Sequence, residues 1–419
     1  MREMRCDVAV IGGGPAGLAA ALEAARGGAS VVVVERNHEL GGILQQCVHD
    51  GFGLQRTGRS LTGPGYAQLF IDEVEKNPKV EVLLDSMVLE VSPDRIVWAC
   101  NPKDGMVRLE CGAIVLAMGC RERTAQQVLL QGYRPQGVLT AGAAQRYINV
   151  EGYLPGSRAV ILGSGDIGLI MARRMTLEGI EVEGVYEVMP HPGGLARNVT
   201  QCLDDFGIPL HLSHGVTRVH GKHHLEGVTV AKLDEARRPI PGTERDVECD
   251  LLVLAVGLIP ENELSRTAGI EIDPVTRGPV LDQDLMTSVP GIFAAGNVSI
   301  VFDLVDYVSA SGERAARGAL SFIAGNMSDE PTYRDVEKGG MVGACIPQRV
   351  RLDGDAPAGE TSFFLRVTRP MSDVAVTVAS SGEKVVRRRL SAVTPTTMVS
   401  VDATLPANCE PTIEISEAR

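Results

Sequence analysis

Three glycines, Gly12, Gly14 and Gly17, with Glu35 placed 23 positions after the first, are the residues of this 419-residue chain that speak most directly of chemistry. Gly12 permits a tight turn, and Gly14 lets a backbone approach a pyrophosphate. Gly17 allows close helix–strand packing, and an acid at the distance of Glu35 accepts from ribose hydroxyls. The same set returns as Gly163, Gly165 and Gly168, with Glu187 placed 24 positions after Gly163. One such set cradles one pyrophosphate, so two sets predict two bound dinucleotides. A second set that has lost its ligand is the alternative.

The elements that must position these residues are written around them. Val8 to Ile11 is an apolar run that reads as a buried strand, and an Ala-rich helix follows from about Pro15 to Gly28. Val31 to Val34 is a second buried strand ending at Glu35 and Arg36. Pro15 and Ala16 open the helix, whose free N–H groups and positive dipole end face the phosphates. In the repeat, Ala159 to Leu162 is the strand, the loop runs through Gly165, Asp166, Ile167 and Gly168, and Leu169 to Glu178 is the helix. Glu181 to Tyr186 is the next strand. An acid at the ribose repels a 2′-phosphate, and Val188-Met189-Pro190 offers no arginine to receive one. The second set therefore favours NAD(H) over NADP(H); Arg197 lies ten residues beyond Glu187 and carries little weight.

Between and after the two sets, helix is expected from Gly65 to Lys76 and near Ala141 to Ile148. Strands are expected at Val80–Leu84, Val88–Val91, Ile96–Ala99, Met106–Leu109, Ala113–Gly119 and Asp250–Gly257. A Gly/Ala-rich helix is expected from Ser309 to Ile323, and strand patterning alone follows residue 338. The net charge of −13 argues against a nucleic-acid or anionic-membrane surface. The basic run Arg387-Arg388-Arg389 reads as a solvated face. No apolar run approaches a membrane span, and the first strand begins too early to leave room for a signal peptide. Nine scattered cysteines, without Cys-x-x-Cys or Cys-x4-Cys, support neither a disulfide framework nor a metal or iron–sulfur site. A reducing cytoplasm is the expected compartment.

A glycine pair follows the first acid, in Leu40-Gly41-Gly42-Ile43-Leu44-Gln45-Gln46-Cys47-Val48-His49. With Gly119 closing an apolar strand and Ala294-Ala295-Gly296-Asn297, this ensemble resembles the two-dinucleotide-binding-domain flavoproteins, the pyridine-nucleotide disulfide reductase superfamily. The phrases Leu61-Thr62-Gly63-Pro64, Cys120-Arg121-Glu122-Arg123 and Asp303-Leu304-Val305-Asp306 narrow the match. They are similar to FAD/NAD-dependent oxidoreductases that accompany an FAD-dependent glycerol-3-phosphate dehydrogenase in anaerobes. They also look like the subunits of opine, proline and sarcosine oxidoreductases and of hydrogen cyanide synthase. The superfamily's redox disulfide would need a second cysteine near Cys47, and none is there.

The resemblance implies an α/β fold: two Rossmann-like FAD/NAD-binding domains plus a small C-terminal all-β domain. The FAD domain is expected over 1–122 and 279–337, the NAD domain over 123–278 and the β domain over 338–419. FAD would be held by the first glycine set, Glu35, Arg36, Gly42, Ile43, Gly119 and Asn297, with Val88 near the adenine. Asn297 stands where an aspartate usually holds the ribitol. NAD(H) would be held by the second set, Glu187 and Gly257.

The implied activity is hydride transfer between NAD(H) and FAD, with electrons passing to or from a partner dehydrogenase, a small redox protein or a small acceptor. A stand-alone NADH peroxidase and a non-catalytic subunit that serves assembly are the other readings. Cys47 and His49 are the candidate catalytic residues. Cys47 is open to a thiolate–flavin pair, a sulfenic acid or a mixed disulfide, or to packing alone. Cys120 is a candidate partner for it only if the fold brings them together. His49 is open to proton donation or a structural role.

Overall fold

The computed structural model describes residues 1–327, 331–352 and 359–418. It packs as two units, one of Met1–Gln45, Asp50–Cys120 and Pro260–Arg419, the other of Gln46–His49 and Arg121–Ile259. The chain re-enters the first unit at Pro260. Asn262, 1% exposed, fixes this return by donating its side-chain amide to the carbonyls of Arg277 and Val298 at 3.0 and 2.9 Å.

In the first unit β1 (Arg2–Ile11), α1 (Pro15–Arg26) and β2 (Val31–Val34) form the opening fold around Gly12. All four valines of β2 are buried, as a parallel strand covered on both faces requires. The sheet runs Val80–Leu83, β2, β1, Gly105–Leu116, Ile96–Asn101, Met87–Val91, with Ile292–Ala294 also paired to Gly105–Leu116. The two strands expected at 106–109 and 113–119 are one strand of 12 residues. Its first half pairs antiparallel with Ile96–Asn101 and its second half parallel with Ile292–Ala294, while β1 registers along most of it from Val107 to Leu116. A change of partner, not a turn, separates the two apolar clusters.

The second unit repeats the plan with β3 (Arg158–Leu162), α2 (Asp166–Leu177) and β4 (Glu181–Glu187). Its sheet is parallel throughout, in the order Val138–Thr140, Leu251–Leu254, β3, β4, Leu210–Leu212. An antiparallel three-stranded sheet, His214–His220, Gly227–Lys232 and Arg245–Glu248, completes the unit. Four residues far away in sequence, 46–49, join it through Gln46. The Gln46 side-chain amide donates to the Gly142 carbonyl and to Gln145 at 2.9 and 3.0 Å, and Asn149 donates to the Gln46 carbonyl at 2.8 Å. All three partners lie on the helix Ala141–Asn149.

In the first unit α3 (Val305–Ile323) crosses α1 so closely that a Cβ on Gly312 would lie 2.1 Å from the Ala16 carbonyl oxygen. The described residues after 331 are strands joined by turns, with a core of their own that includes Val376, Phe363, Leu365 and Ile413. They form a four-stranded sheet ordered Glu337–Gly340, Pro411–Glu417, Met371–Ser380, Glu383–Val393 and a three-stranded sheet ordered Val342–Ile346, Gly359–Val367, Val399–Leu405. This β region is joined to the rest of its unit by Phe364, whose ring meets Phe302 and Tyr307 edge-on, and by Arg351, which pairs with Asp282 and Asp284. Among the described residues no helix is long and apolar enough to cross a membrane. All nine cysteines are thiols rather than disulfides.

Candidate functional site

The two glycine loops share one backbone plan. Gly12 and Gly163 have φ of +105° and +101°, a region L-residues avoid, and a Cβ on either would strike the backbone of Ala117 or Ala255. A Cβ on Gly17 or Gly168 would lie 1.8 or 2.5 Å from the carbonyl oxygen of Gly12 or Gly163. These four glycines serve the fold. Gly14 and Gly165 differ from them: extended backbone, negative φ, and nothing within 4 Å of a Cβ built on either. The space at those two positions is open at a helix N-terminus, where unpaired N–H groups and the helix dipole attract a phosphate. The residues present therefore fit a pyrophosphate at both loops.

The acids are also matched. The Glu35 carboxylate, 4% exposed, accepts from Gly13 N at 2.6 Å and Asn37 N at 2.8 Å. The Glu187 carboxylate, 6% exposed, accepts from Ser164 N and Met189 N, both at 2.9 Å, and from the Ser164 hydroxyl at 2.7 Å. Each acid thus ties the end of its own strand to the glycine loop that follows the neighbouring strand. A carboxylate has about four acceptor directions, so ribose hydroxyls still find sites on both.

The other expected FAD residues occupy the first unit. Pro15 is at the first turn of α1, Ala16 is buried beside Gly296 and Gly312, and Arg36 and Ile43 are exposed. Gly42, with φ of +56°, brings its backbone to Gly14: a Cβ there would be 3.0 Å from Gly14 Cα. Gly119 has φ of +70°, and its carbonyl accepts from Glu261 N. The Asn297 amide oxygen accepts from Phe302 N at 3.0 Å, and its nitrogen faces Cys120 Sγ at 3.6 Å. The backbone flanking Glu35 is Asp85–Ser86, through Ser86 N to the Glu35 carbonyl; Val88 follows two residues later with its side chain buried.

In the second unit Ile167 and Asp166 begin α2, and Gly257, with φ of +99°, accepts from Arg123 N. Cys47 is buried in this unit, its Sγ 3.8 Å from the Gln145 amide oxygen, and burial pushes its thiol up to about 12. Such a thiol is protonated at neutral pH, which disfavours the thiolate chemistry open to it from sequence. His49 is half-buried in the same segment.

Sequence reasoning passed over Gln145, 1% exposed, whose side-chain nitrogen has no hydrogen-bond partner among the described residues. It also passed over Ser164 and a second glycine pair, Gly193-Gly194, at six and seven positions after Glu187. That is the spacing of Gly41-Gly42 after Glu35, and a comparison of the two halves would have found it.

A family model described as "Pyridine nucleotide-disulphide oxidoreductase" matches residues 6–318. An opine oxidase subunit of Agrobacterium tumefaciens (strain Ach5) is 27% identical over 75% of this chain and 65% of its own length. Hydrogen cyanide synthase subunit HcnB of Pseudomonas protegens is 28% identical over 64% of this chain and 60% of its own. The chain thus spans less than two thirds of these curated relatives. The crystal structure of T. acidophilum thioredoxin reductase superposes with a TM-score of 0.62 at 25% identity, covering 77% of this chain and 99% of the reductase.

Proposed function

Because this chain belongs to the pyridine nucleotide-disulphide oxidoreductase family, we propose that it takes NADH rather than NADPH, holds FAD in its first unit, and exchanges electrons with a partner protein. That it is an FAD- and pyridine-nucleotide-dependent oxidoreductase follows from the family. The observation that carries the finer reading is the pair of matched, open, acid-braced glycine loops in one chain. When bound, FAD and NAD(H) supply the hydride chemistry, while the protein supplies position. Gly14, Glu35, Gly42, Gly119 and Asn297 would hold the first dinucleotide, and Gly165 and Glu187 the second.

The choice of nucleotide rests on Glu187. Its carboxylate cannot swing away, because three protein donors hold it at the strand end. A 2′-phosphate brought to it meets a buried like charge, which costs about 3 kcal/mol or on the order of 100-fold in affinity. Anaerobic stopped-flow mixing is expected to reduce the flavin at far lower NADH than NADPH concentration. Glu187→Gln keeps two acceptor directions for the loop and removes the charge, so it narrows that gap. Equal half-saturation by both nucleotides in the native protein would remove the argument.

The partner reading draws on the names of the relatives, which are subunits of an opine oxidase and a hydrogen cyanide synthase. A partner dehydrogenase of the glycerol-3-phosphate type, or a small redox protein, would play the corresponding part here. Reduction of flavin by NADH in the isolated chain separates an electron-transfer role from an assembly role, in which the flavin would stay oxidised. We assign proton exchange to His49 and packing against Gln145 to Cys47. Burial pushes the Cys47 thiol up to about 12, so it stays protonated at pH 8. The Cys47 peptide is therefore expected to stay unalkylated when native protein meets iodoacetamide. Labelling as fast as that of a small-molecule thiol would restore Cys47 as a redox nucleophile.

A further inference from the structure

The Gly-Gly segments that follow the two acids lie on their glycine loops, but they are fastened differently. In the first unit the fastening is main chain to main chain, Gly41 N to the Gly13 carbonyl at 2.8 Å. The first turn of α1 carries no acid. In the second unit the fastening uses side chains of the loop itself. Gly193 N donates to the Ser164 hydroxyl at 2.8 Å. One carboxylate oxygen of Asp166 accepts from Leu195 N at 2.8 Å and from the Asn198 side-chain amide at 2.7 Å. The fit is close: a Cβ on Gly194 would lie 2.8 Å from that Asp166 oxygen and 2.7 Å from Leu169 Cδ1, and one on Gly193 would lie 3.4 Å from Gly165 N. The segment therefore passes beside the open position of the second loop, as Gly42 passes beside Gly14.

We infer that residues 192–195 are a strap over the pyrophosphate of the exchangeable nucleotide, with Asp166 and Ser164 as its latch. The inference rests on the reading of the second unit as the NAD(H) site. Asp166 is then a positioning residue rather than a phosphate ligand. Its charge, at the first turn of α2, would oppose a phosphate if it pointed at one; both donors it accepts belong to the strap and its helix, which turns that charge to holding the segment in place. Two side chains can release a strap without disturbing the loop backbone. A main-chain fastening has no such freedom, which suits a cofactor that stays.

Titration calorimetry of the oxidised holoprotein with NAD+ tests this without turnover. Asp166→Ala removes both acceptor bonds and is expected to raise the dissociation constant about tenfold, with FAD content as in the wild type. Asp166→Asn keeps an oxygen for the same donors and is expected to recover most of the loss. Asn198→Ala removes one bond and should fall between. Hydrogen exchange gives a second readout: the Gly193 and Leu195 amides should exchange faster in Asp166→Ala, and NAD+ should slow them in the wild type. An unchanged dissociation constant in Asp166→Ala, or an Asp166→Asn as weak as the alanine variant, overturns the strap. No saturable heat in the wild type instead overturns the reading of the second unit as a nucleotide site.

Discussion

Gly14→Val is expected to purify folded and colourless, whereas Gly165→Val is expected to purify folded and yellow but unable to be reduced by NADH. Both positions have extended backbone with negative φ, which a β-branched residue adopts readily, and both would project a Cβ into open space. The isopropyl group therefore costs the fold little and takes the volume a pyrophosphate needs. Overpacking alone costs about 1–3 kcal/mol, and the lost close approach of backbone N–H to phosphate adds to it. FAD in Gly14→Val is expected below roughly a tenth of wild-type content, from a weakening on the order of 100-fold or more. Gly17→Ala is the contrasting control, since its methyl would sit 1.8 Å from the Gly12 carbonyl oxygen and must disturb α1. The measurements are the flavin-to-protein absorbance ratio, circular dichroism and anaerobic reduction. Full flavin in Gly14→Val would disprove the assignment of the first loop, and normal NADH reduction in Gly165→Val that of the second.

Arg351→Met is the stability counterpart. Arg351, with its side chain 5% exposed, donates to Asp282 at 2.8 Å and Asp284 at 2.7 Å. Asp282 is fully buried, and its other oxygen accepts from Asp284 N and Met286 N, both at 2.9 Å. Burial raises the Asp282 carboxyl to about 6 even against the pull of Arg351. Removing the guanidinium leaves the buried Asp282 carboxylate without its ion-pair partner, at a cost of about 3–5 kcal/mol.

The pH dependence follows in sign. A carboxyl raised on folding binds its proton more tightly in the folded state, so its contribution is full below its ordinary value of 3.8 and is lost as pH rises through about 6. Without Arg351 the folded value rises further. The defect in Arg351→Met should therefore be largest above pH 7 and shrink toward pH 5, where Asp282 is protonated. Denaturant melts at those two pH values measure it. A pH-independent defect would mean that lost packing, not the stranded carboxylate, is the cause.

Both glycine loops, both acids and the β character of the C-terminal region were legible in the sequence, because turn geometry and strand alternation are written in neighbouring residues. The ion pair of Arg351 with Asp282 spans 69 positions and has no local signature. The attachment of Gln46–His49 to the helix Ala141–Asn149 is hidden for the same reason: nothing near Cys47 announces that Gln145, 98 positions on, will cover it. The single strand Gly105–Leu116 reads as two in the sequence because its partners change where its residues do not break. The bonds of Asp166 to Leu195 and Asn198, 29 and 32 positions on, have no local signature either.

The strand Glu383–Val393 ends its four-stranded sheet, and it is 11 residues long. A long open edge offers a row of unpaired N–H and C=O groups to any other chain, and such edges seed aggregation unless something forbids pairing. Lys384, Arg387, Arg388 and Arg389 all stand exposed along it. The opposite edge, Glu337–Gly340, is only four residues long. In a chain whose net charge is −13, this basic run opposes pairing at the edge, because a second copy approaching edge to edge would bring its own arginines against these.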